Sequence, residues 1–335
     1  MTSKTGTHFA DFESEYMVIV DRARGVIAGF PPLLRGLAET LLPELAGGEF
    51  SRIVALLPYW VTDLLDGLEP TAGDPRPSPD GRTEALGLAN LLGWWSYLVQ
   101  DRLLDHDLDR LDLLPLSTAH HVAAIRLLER LMTGHQVFWD TFQRLSLTSA
   151  EAHCWEQRYH RLPLAGQVDE IVDLTHLADR SALLQLAVVV QFALRGHDQD
   201  HPLYLALAEA LRQYAIARQL GDDLTDWVED LRRGRLNYVS ACIARHMRET
   251  GAIQAHADLD VDQMAGFFLY DDELFTAIQQ TALDACRRAA ASLAPYDSRY
   301  LGGLVNELQA QLERSYAAAL QSRRKVRALF PPTAI

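Results

Sequence analysis

The sequence predicts an all-α fold, a single domain over residues 1–335 built as a helical bundle. Three observations carry that expectation. Apolar residues recur at helical spacing along nearly the whole chain, with Leu and Ala abundant and the β-branched alternation of strands rare. Hydrophobic residues make up 48% of the 335, enough for a large core. No internal repeat at a period of about 20 to 50 residues is visible, which sets a solenoid aside.

The elements follow in order, with boundaries good to roughly two to four residues. Helical periodicity places the first three at 11–28, 32–45 and 50–67. LEPTAGDPRPSPDGR, residues 68–82, is rich in Pro and Gly and reads as a loop. The composition is the same on either side of it, so it is an excursion within one domain rather than a boundary. Beyond it, 83–105 ends in the acidic run DRLLD, and 117–145 and 149–160 follow. The segment 167–195 contains the greasiest stretch, LLQLAVVVQFAL, and 202–233 contains QLGDDLTDWVED. The last helices are expected at 237–249, 260–293 and 298–327. Several are apolar on more than one face, as helices wrapped round an interior are.

Composition excludes several function classes. A net charge of −14 argues against a nucleic-acid partner, because phosphate binding needs a basic face. Cys154, Cys242 and Cys286 lie far apart, and their odd number speaks against a disulfide framework, as in a reducing cytoplasm. The N-terminal MTSKTGTHFADFESEY lacks the apolar region of a signal peptide, and LLQLAVVVQFAL is too short and polar to span a bilayer. The expectation is a soluble, cytoplasmic protein without a transmembrane segment; a homodimer is compatible with it.

One stretch, QLGDDLTDWVEDLRRGR at 219–235, needs a physical reason. It sets Asp222, Asp223, Asp226, Glu229 and Asp230 within nine positions, with Asp222, Asp226 and Asp230 at i, i+4 and i+8 on one helix face. Like charges four apart cost about 0.2–0.5 kcal/mol per pair, so a cation is expected against this face. A second group, Asp101 and Asp105, stands at the C-terminal end of an apolar helix, where the helix dipole already disfavours negative charge. Asp107 and Asp109 lie on the exit. Hard oxygen ligands on two helices suit Mg²⁺, which is usually held by one or two carboxylates together with substrate phosphates. The basic run Arg232, Arg233 and Arg235, with Tyr238 beyond, is then placed to clamp a diphosphate. The plainer reading makes Arg232 and Arg233 salt-bridge partners of Glu229 and Asp230.

On these residues the chain resembles the class I isoprenoid synthases. QLGDDLTDWVED is similar to their second acidic motif and DRLLD to their first. Asp222, Asp223 and Asp226 match the DDxxD of chain-elongating prenyltransferases. Asp226, Glu229 and Asp230 with RRGR resemble the DxxED and RxGR of squalene and phytoene synthases. Asp222, Asp226 and Asp230 occupy the metal-binding places of the terpene cyclase triad. The resemblance implies a helical bundle with its acidic motifs facing across a central apolar cavity, three Mg²⁺, and a prenyl diphosphate substrate, farnesyl or geranylgeranyl diphosphate. The elongation enzymes' GGKR-type acceptor motif is absent, and Thr225 stands where head-to-head synthases carry Arg. Arg299-Tyr300 and Arg180 fall where cyclases carry diphosphate-binding residues.

The expectation is therefore a terpene cyclase. Asp101, Asp105, Asp222, Asp223, Asp226, Glu229 and Asp230 serve as metal ligands in this reading. Arg180, Arg232, Arg233, Arg235, Tyr238, Arg299 and Tyr300 bind substrate, with Trp94 and Tyr97 offering π faces to a carbocation. The alternatives are a head-to-head prenyltransferase and a catalytically silent helical binding protein. Asp271, Asp272 and Glu273 in FFLYDDELF are read as first-turn acidic residues rather than a metal motif. His120, His121 and His160 are read as surface histidines.

Overall fold

The computed structural model describes residues 7–68, 81–104, 110–171, 174–254 and 257–329, and among them all regular structure is helical. The interior of the Pro/Gly-rich segment 68–82 lies outside the described residues, as do Asp105, Asp107 and Asp109. In chain order the helices are α1 (Thr7–Ala10), α2 (Glu13–Ala28), α3 (Pro32–Gly47), α4 (Glu49–Leu68), α5 (Gly81–Leu104) and α6 (Leu113–Leu131). Next come α7 (Gln136–Tyr159), α8 (Leu164–Glu170), α9 (Thr175–Arg180), a 3-10 turn (Ala182–Gln185) and α10 (Leu186–Leu194). The chain continues with α11 (Pro202–Arg232), α12 (Tyr238–Glu249), α13 (Val261–Tyr270), α14 (Asp272–Leu293) and α15 (Arg299–Leu329).

Three expected helices are subdivided, each for a local reason. The break between α6 and α7 falls at Gly134, whose φ of 82° lies in the left-handed region that a helix cannot continue through. The 260–293 segment is cut at Asp271, whose side chain accepts the Leu274 N–H at 2.8 Å and starts α14 as its N-cap. The 167–195 segment resolves into α8, α9, the 3-10 turn and α10, with the Ser181 N–H closing on the Ala178 carbonyl at 3.0 Å.

By internal contacts the chain forms two compact units. The first comprises 1–144, 183–208 and 295–303; the second comprises 145–182, 209–294 and 304–335.

The first unit centres on α4, α5, α6 and α10. From α4 it buries Ile53, Leu56, Leu57, Trp60 and Val61, and from α10 Val188, Val190 and Phe192. Trp95 of α5 is 0% exposed, and its indole N–H is satisfied by the Leu45 carbonyl at 3.2 Å and Ser51 Oγ at 3.3 Å. One sequence expectation fails here. His120 is not a surface residue but 0% exposed, between the rings of Phe30 and Trp95 at centroid distances of 5.7 and 5.9 Å. The reason is its place on the buried stripe of α6, in line with Leu113, Leu116, Ser117, Ala124 and Leu128. Neither ring nitrogen has a hydrogen-bond partner among the described residues, and burial pulls its pKa down to about 4, so the ring is neutral.

The second unit packs Trp227 and Leu231 of α11 against Val239, Ile243 and Met247 of α12, with Met264, Phe268, Phe275 and Ile278 from α13 and α14. The far end of α15 closes this core. Arg323 is 9% exposed, stands 4.2 Å from the Phe275 ring centroid, and donates to the Phe268 and Asp271 carbonyls at 2.6 and 3.0 Å. Arg327 donates from Nε to the Leu269 carbonyl at 2.6 Å and from its fork to Asp272 at 2.6 and 2.8 Å. These donors satisfy the orphan carbonyls at the C-terminus of α13. Asp271 also faces His246 Nε2 at 3.0 Å, so the acidic run of FFLYDDELF is occupied in capping and ion pairing.

Candidate functional site

The acidic face lies on the last three turns of α11, in the second unit. Successive residues turn by about 100°, so the carboxylates spread round an arc from the solvent side to the core side. Asp222, Asp226 and Glu229 are exposed, Asp230 is partly buried and Asp223 is buried. Asp226 forms no ion pair or hydrogen bond with any described residue.

Asp223 departs from the expectation of a metal ligand. It is 4% exposed, and both of its oxygens are engaged: Oδ1 accepts from Gln219 Nε2 at 2.8 Å and Oδ2 from the Tyr238 backbone N–H at 3.0 Å. Its role in the fold is to receive the N-terminus of α12. Burial raises its pKa to about 7, against the opposing pull of those two donors and of the Arg180 charge, with Asp230 pushing further upward.

The turn from α11 to α12 is the most heavily bonded backbone in the site. Gly234 takes φ 78°, which a side-chain-bearing residue rarely adopts, and the Arg233 and Arg235 N–H groups both return to the Asp230 carbonyl at 3.0 Å. Gln167, 0% exposed on α8, accepts the Leu236 N–H at 2.9 Å and donates to the Gly234 and Leu162 carbonyls at 3.1 and 2.8 Å. Tyr159 of α7 donates to the Leu236 carbonyl at 2.8 Å. Asn237 caps α12 in a reciprocal box with Ser240. Its amide also donates to Asp230 Oδ2 at 2.9 Å and to the Asp223 carbonyl at 3.0 Å.

Arg180, at the end of α9, pairs with Glu156 Oε1 at 2.8 Å, and its carbonyl accepts from Ser149 Oγ at 2.8 Å. Its charge also acts on Asp223, Tyr159 and His153, whose pKa is lowered to about 4 chiefly by burial. Arg232 and Arg233 are exposed and pair with Glu229 at 3.9 and 3.3 Å, the plainer of the two readings of that run. Arg235 is buried, 8% exposed. Tyr238 is the first residue of α12, partly buried, with its phenol pKa raised to about 12 by burial and by Cys242.

The first unit holds the other expected residues. Asp101, in the last turn of α5, is partly buried and accepts from Tyr97 OH at 3.4 Å. The Tyr97 ring stacks on Trp94 at 5.1 Å, and Trp94 in turn packs on Phe50 at 4.4 Å. Asp105 lies outside the described residues. Arg299 and Tyr300 are brought to Asp11, with Arg299 Nη2 at 2.9 Å and Tyr300 OH at 3.2 Å from Asp11 Oδ2, an anchor between α15 and the start of the chain.

Sequence reasoning missed Gln167 and Tyr159, whose bonds to the turn reach across 67 to 77 residues, and Asn237, whose partners Asp230 and Asp223 lie 7 and 14 residues away. For Asn237 a signal existed: Asn three residues before Ser at a helix start is a capping pattern.

No family model matches the chain, and no curated protein matches it. Solved structures do. A decaprenyl diphosphate synthase from Rhodobacter capsulatus superposes with a TM-score of 0.70 at 16% identity, covering 91% of this chain and 98% of that one. A polyprenyl synthase from Caulobacter crescentus CB15, complexed with calcium and isoprenyl diphosphate, gives 0.63 at 19% identity over 91% and 97%. A geranylgeranyl pyrophosphate synthetase from the archaeon Geoglobus acetivorans gives 0.64 at 14% identity over 91% and 99%. At such identities the likeness establishes the fold, that of the class I isoprenoid synthases.

Proposed function

We propose that this chain, built on the class I isoprenoid synthase fold, is a Mg²⁺-dependent terpene synthase that ionises an allylic prenyl diphosphate and cyclises the resulting carbocation. The observation that carries the reading is the outer face of α11. Asp222 and Asp226 are exposed one turn apart, Asp226 is unpaired with any described residue, and Asp230 beside them is held by an amide donor. Among the described residues no three His, Cys, Asp or Glu side chains form a closed metal cage. The donor set nevertheless fits Mg²⁺, which keeps several waters and takes one or two carboxylates plus phosphate oxygens. Asp222, Asp226 and Asp230 would hold Mg²⁺ through one or two carboxylates per ion, and Asp101 and Asp105 keep the metal-ligand role that the resemblance implies for the first acidic motif. Bound Mg²⁺ supplies charge neutralisation that makes diphosphate a better leaving group.

The protein's own residues do the rest. Arg180 contributes positive charge near the acidic face, oriented by Glu156. Trp94 and Tyr97 offer π faces, which stabilise a cation without attacking it. Water must be kept from that cation, since it quenches it. No helix among the described residues is long and apolar enough to cross a membrane.

A second reading, prenyl transfer, is favoured by the names of the structural neighbours, diphosphate and polyprenyl synthases, and by the RRGR run at the end of α11. Mass spectrometry of products formed from farnesyl and geranylgeranyl diphosphates with Mg²⁺ decides between them. A hydrocarbon or alcohol with the substrate's carbon count supports cyclisation. A doubled count means head-to-head coupling, and a diphosphate lengthened by isoprene units means elongation; either outcome overturns the cyclase.

A further inference from the structure

A primary amide has one acceptor oxygen and two N–H donors, and Asn237 uses all of them. Oδ1 accepts the Ser240 backbone N–H at 3.1 Å, which fixes which end of the amide faces which way, because a backbone N–H can only donate. Nδ2 must therefore lie on the α11 side, where it meets Asp230 Oδ2 at 2.9 Å and the Asp223 carbonyl at 3.0 Å. The amide is itself held. Its backbone N–H is bound by Ser240 Oγ at 2.9 Å, and the preceding Leu236 is gripped on both polar groups by the buried Gln167 and Tyr159. Asp230 is fixed at its backbone as well, by the Arg233 and Arg235 N–H groups.

We infer that Asn237 is a positioning residue: it sets the orientation of the Asp230 carboxylate before a divalent cation arrives, in addition to capping α12. This rests on the metal-binding role proposed above for the α11 face. The physical content is preorganisation. A carboxylate already fixed loses little side-chain freedom when it ligates. Asp226, with no such partner, bears that ordering cost in full. Within one acidic face the sequence therefore builds one oriented carboxylate and one compliant one, and the orienting group comes from the next helix.

The two duties of Asn237 can be separated. Asn237→Thr keeps a capping oxygen for the Ser240 N–H and removes the amide donors; Ser240→Ala weakens the cap and leaves the donors. The measurement is the thermal shift of each full-length variant with inorganic diphosphate, titrated with Mg²⁺. Asn237→Thr is expected to melt close to the parent without ligand, while its Mg²⁺ midpoint rises about 10-fold or more, as loss of an outer-sphere partner does. Ser240→Ala is expected to melt lower, with a midpoint shift much smaller than that of Asn237→Thr. Asn237→Asp, which retains the cap but sets an acceptor against Asp230, should raise the midpoint as well and serves if the Thr variant does not fold. An unchanged midpoint in the Asn237 variants, or an equal shift in Ser240→Ala, overturns the inference. A parent protein that shows no Mg²⁺-dependent shift at all overturns the metal reading itself, and with it this inference, and is distinguishable because no variant is involved.

Discussion

Replacing His120 by Leu should flatten the acid limb of the protein's stability. The ring is wholly buried against Phe30 and Trp95 with no partner for either nitrogen among the described residues, so the folded state resists protonation until about pH 4. The unfolded chain takes up that proton near pH 6.5. Between those values the unfolded state binds more protons, and stability falls as pH falls. A shift from 6.5 to about 4 corresponds to roughly 2 kcal/mol lost at pH 5 and about 3 kcal/mol once both states are protonated. Leu has a comparable volume and nothing to titrate. Urea denaturation of parent and variant at pH 7.5 and pH 5.0 gives four free energies, and their double difference isolates this residue from His153, which is shifted in the same direction. At pH 7.5 the variant should equal or exceed the parent, because a buried polar ring without partners has been removed. If the variant keeps the parent's full loss between the two pH values, the buried ring is not the source of the acid sensitivity.

Asp226→Ala is expected to abolish Mg²⁺-dependent product formation, assayed by extraction and mass spectrometry, with little change in melting temperature, since the side chain has no partner among the described residues to lose. Asp272→Ala should keep turnover and lower stability by less than about 1 kcal/mol, because the carboxylate is 58% exposed and both arginines keep backbone carbonyl partners. Arg323→Met should cost far more, about 2–3 kcal/mol by urea denaturation, as it leaves the Phe268 and Asp271 carbonyls short of a charged donor. Faster amide exchange confined to α13 and α14 is its expected signature.

Much of this architecture was legible because helical periodicity is a local property. The stripe of α4 and the acidic face of α11 need only residues three and four apart. The same periodicity, followed strictly, places two further residues in the core: Asp223, read from its motif as a metal ligand, and His120, read as a surface histidine. Asp223 falls in line with Ile216, Leu220, Trp227 and Leu231, all buried, so the second Asp of the doublet belongs to the core stripe. His120 falls in line with Leu116 and Ala124 in the same way. Other features were out of reach in principle. That Arg299 and Tyr300 are drawn to Asp11 depends on contacts 288 and 289 residues apart, which no local pattern encodes. Arg180, expected from the resemblance to contact substrate, pairs with Glu156, 24 residues upstream on another helix.

Each compact unit is assembled from three separate stretches of the chain. No single reading-frame fragment therefore encodes either of them: a gene cut near residue 144 would give a product lacking the 183–208 and 295–303 segments of the first unit, α10 with its buried Val188, Val190 and Phe192 among them. Recombination that trades contiguous cassettes between genes has no clean seam here. Diversification of such a protein is expected to run through point substitutions, with α11 and the turn that follows it as the place where they reach the chemistry most directly.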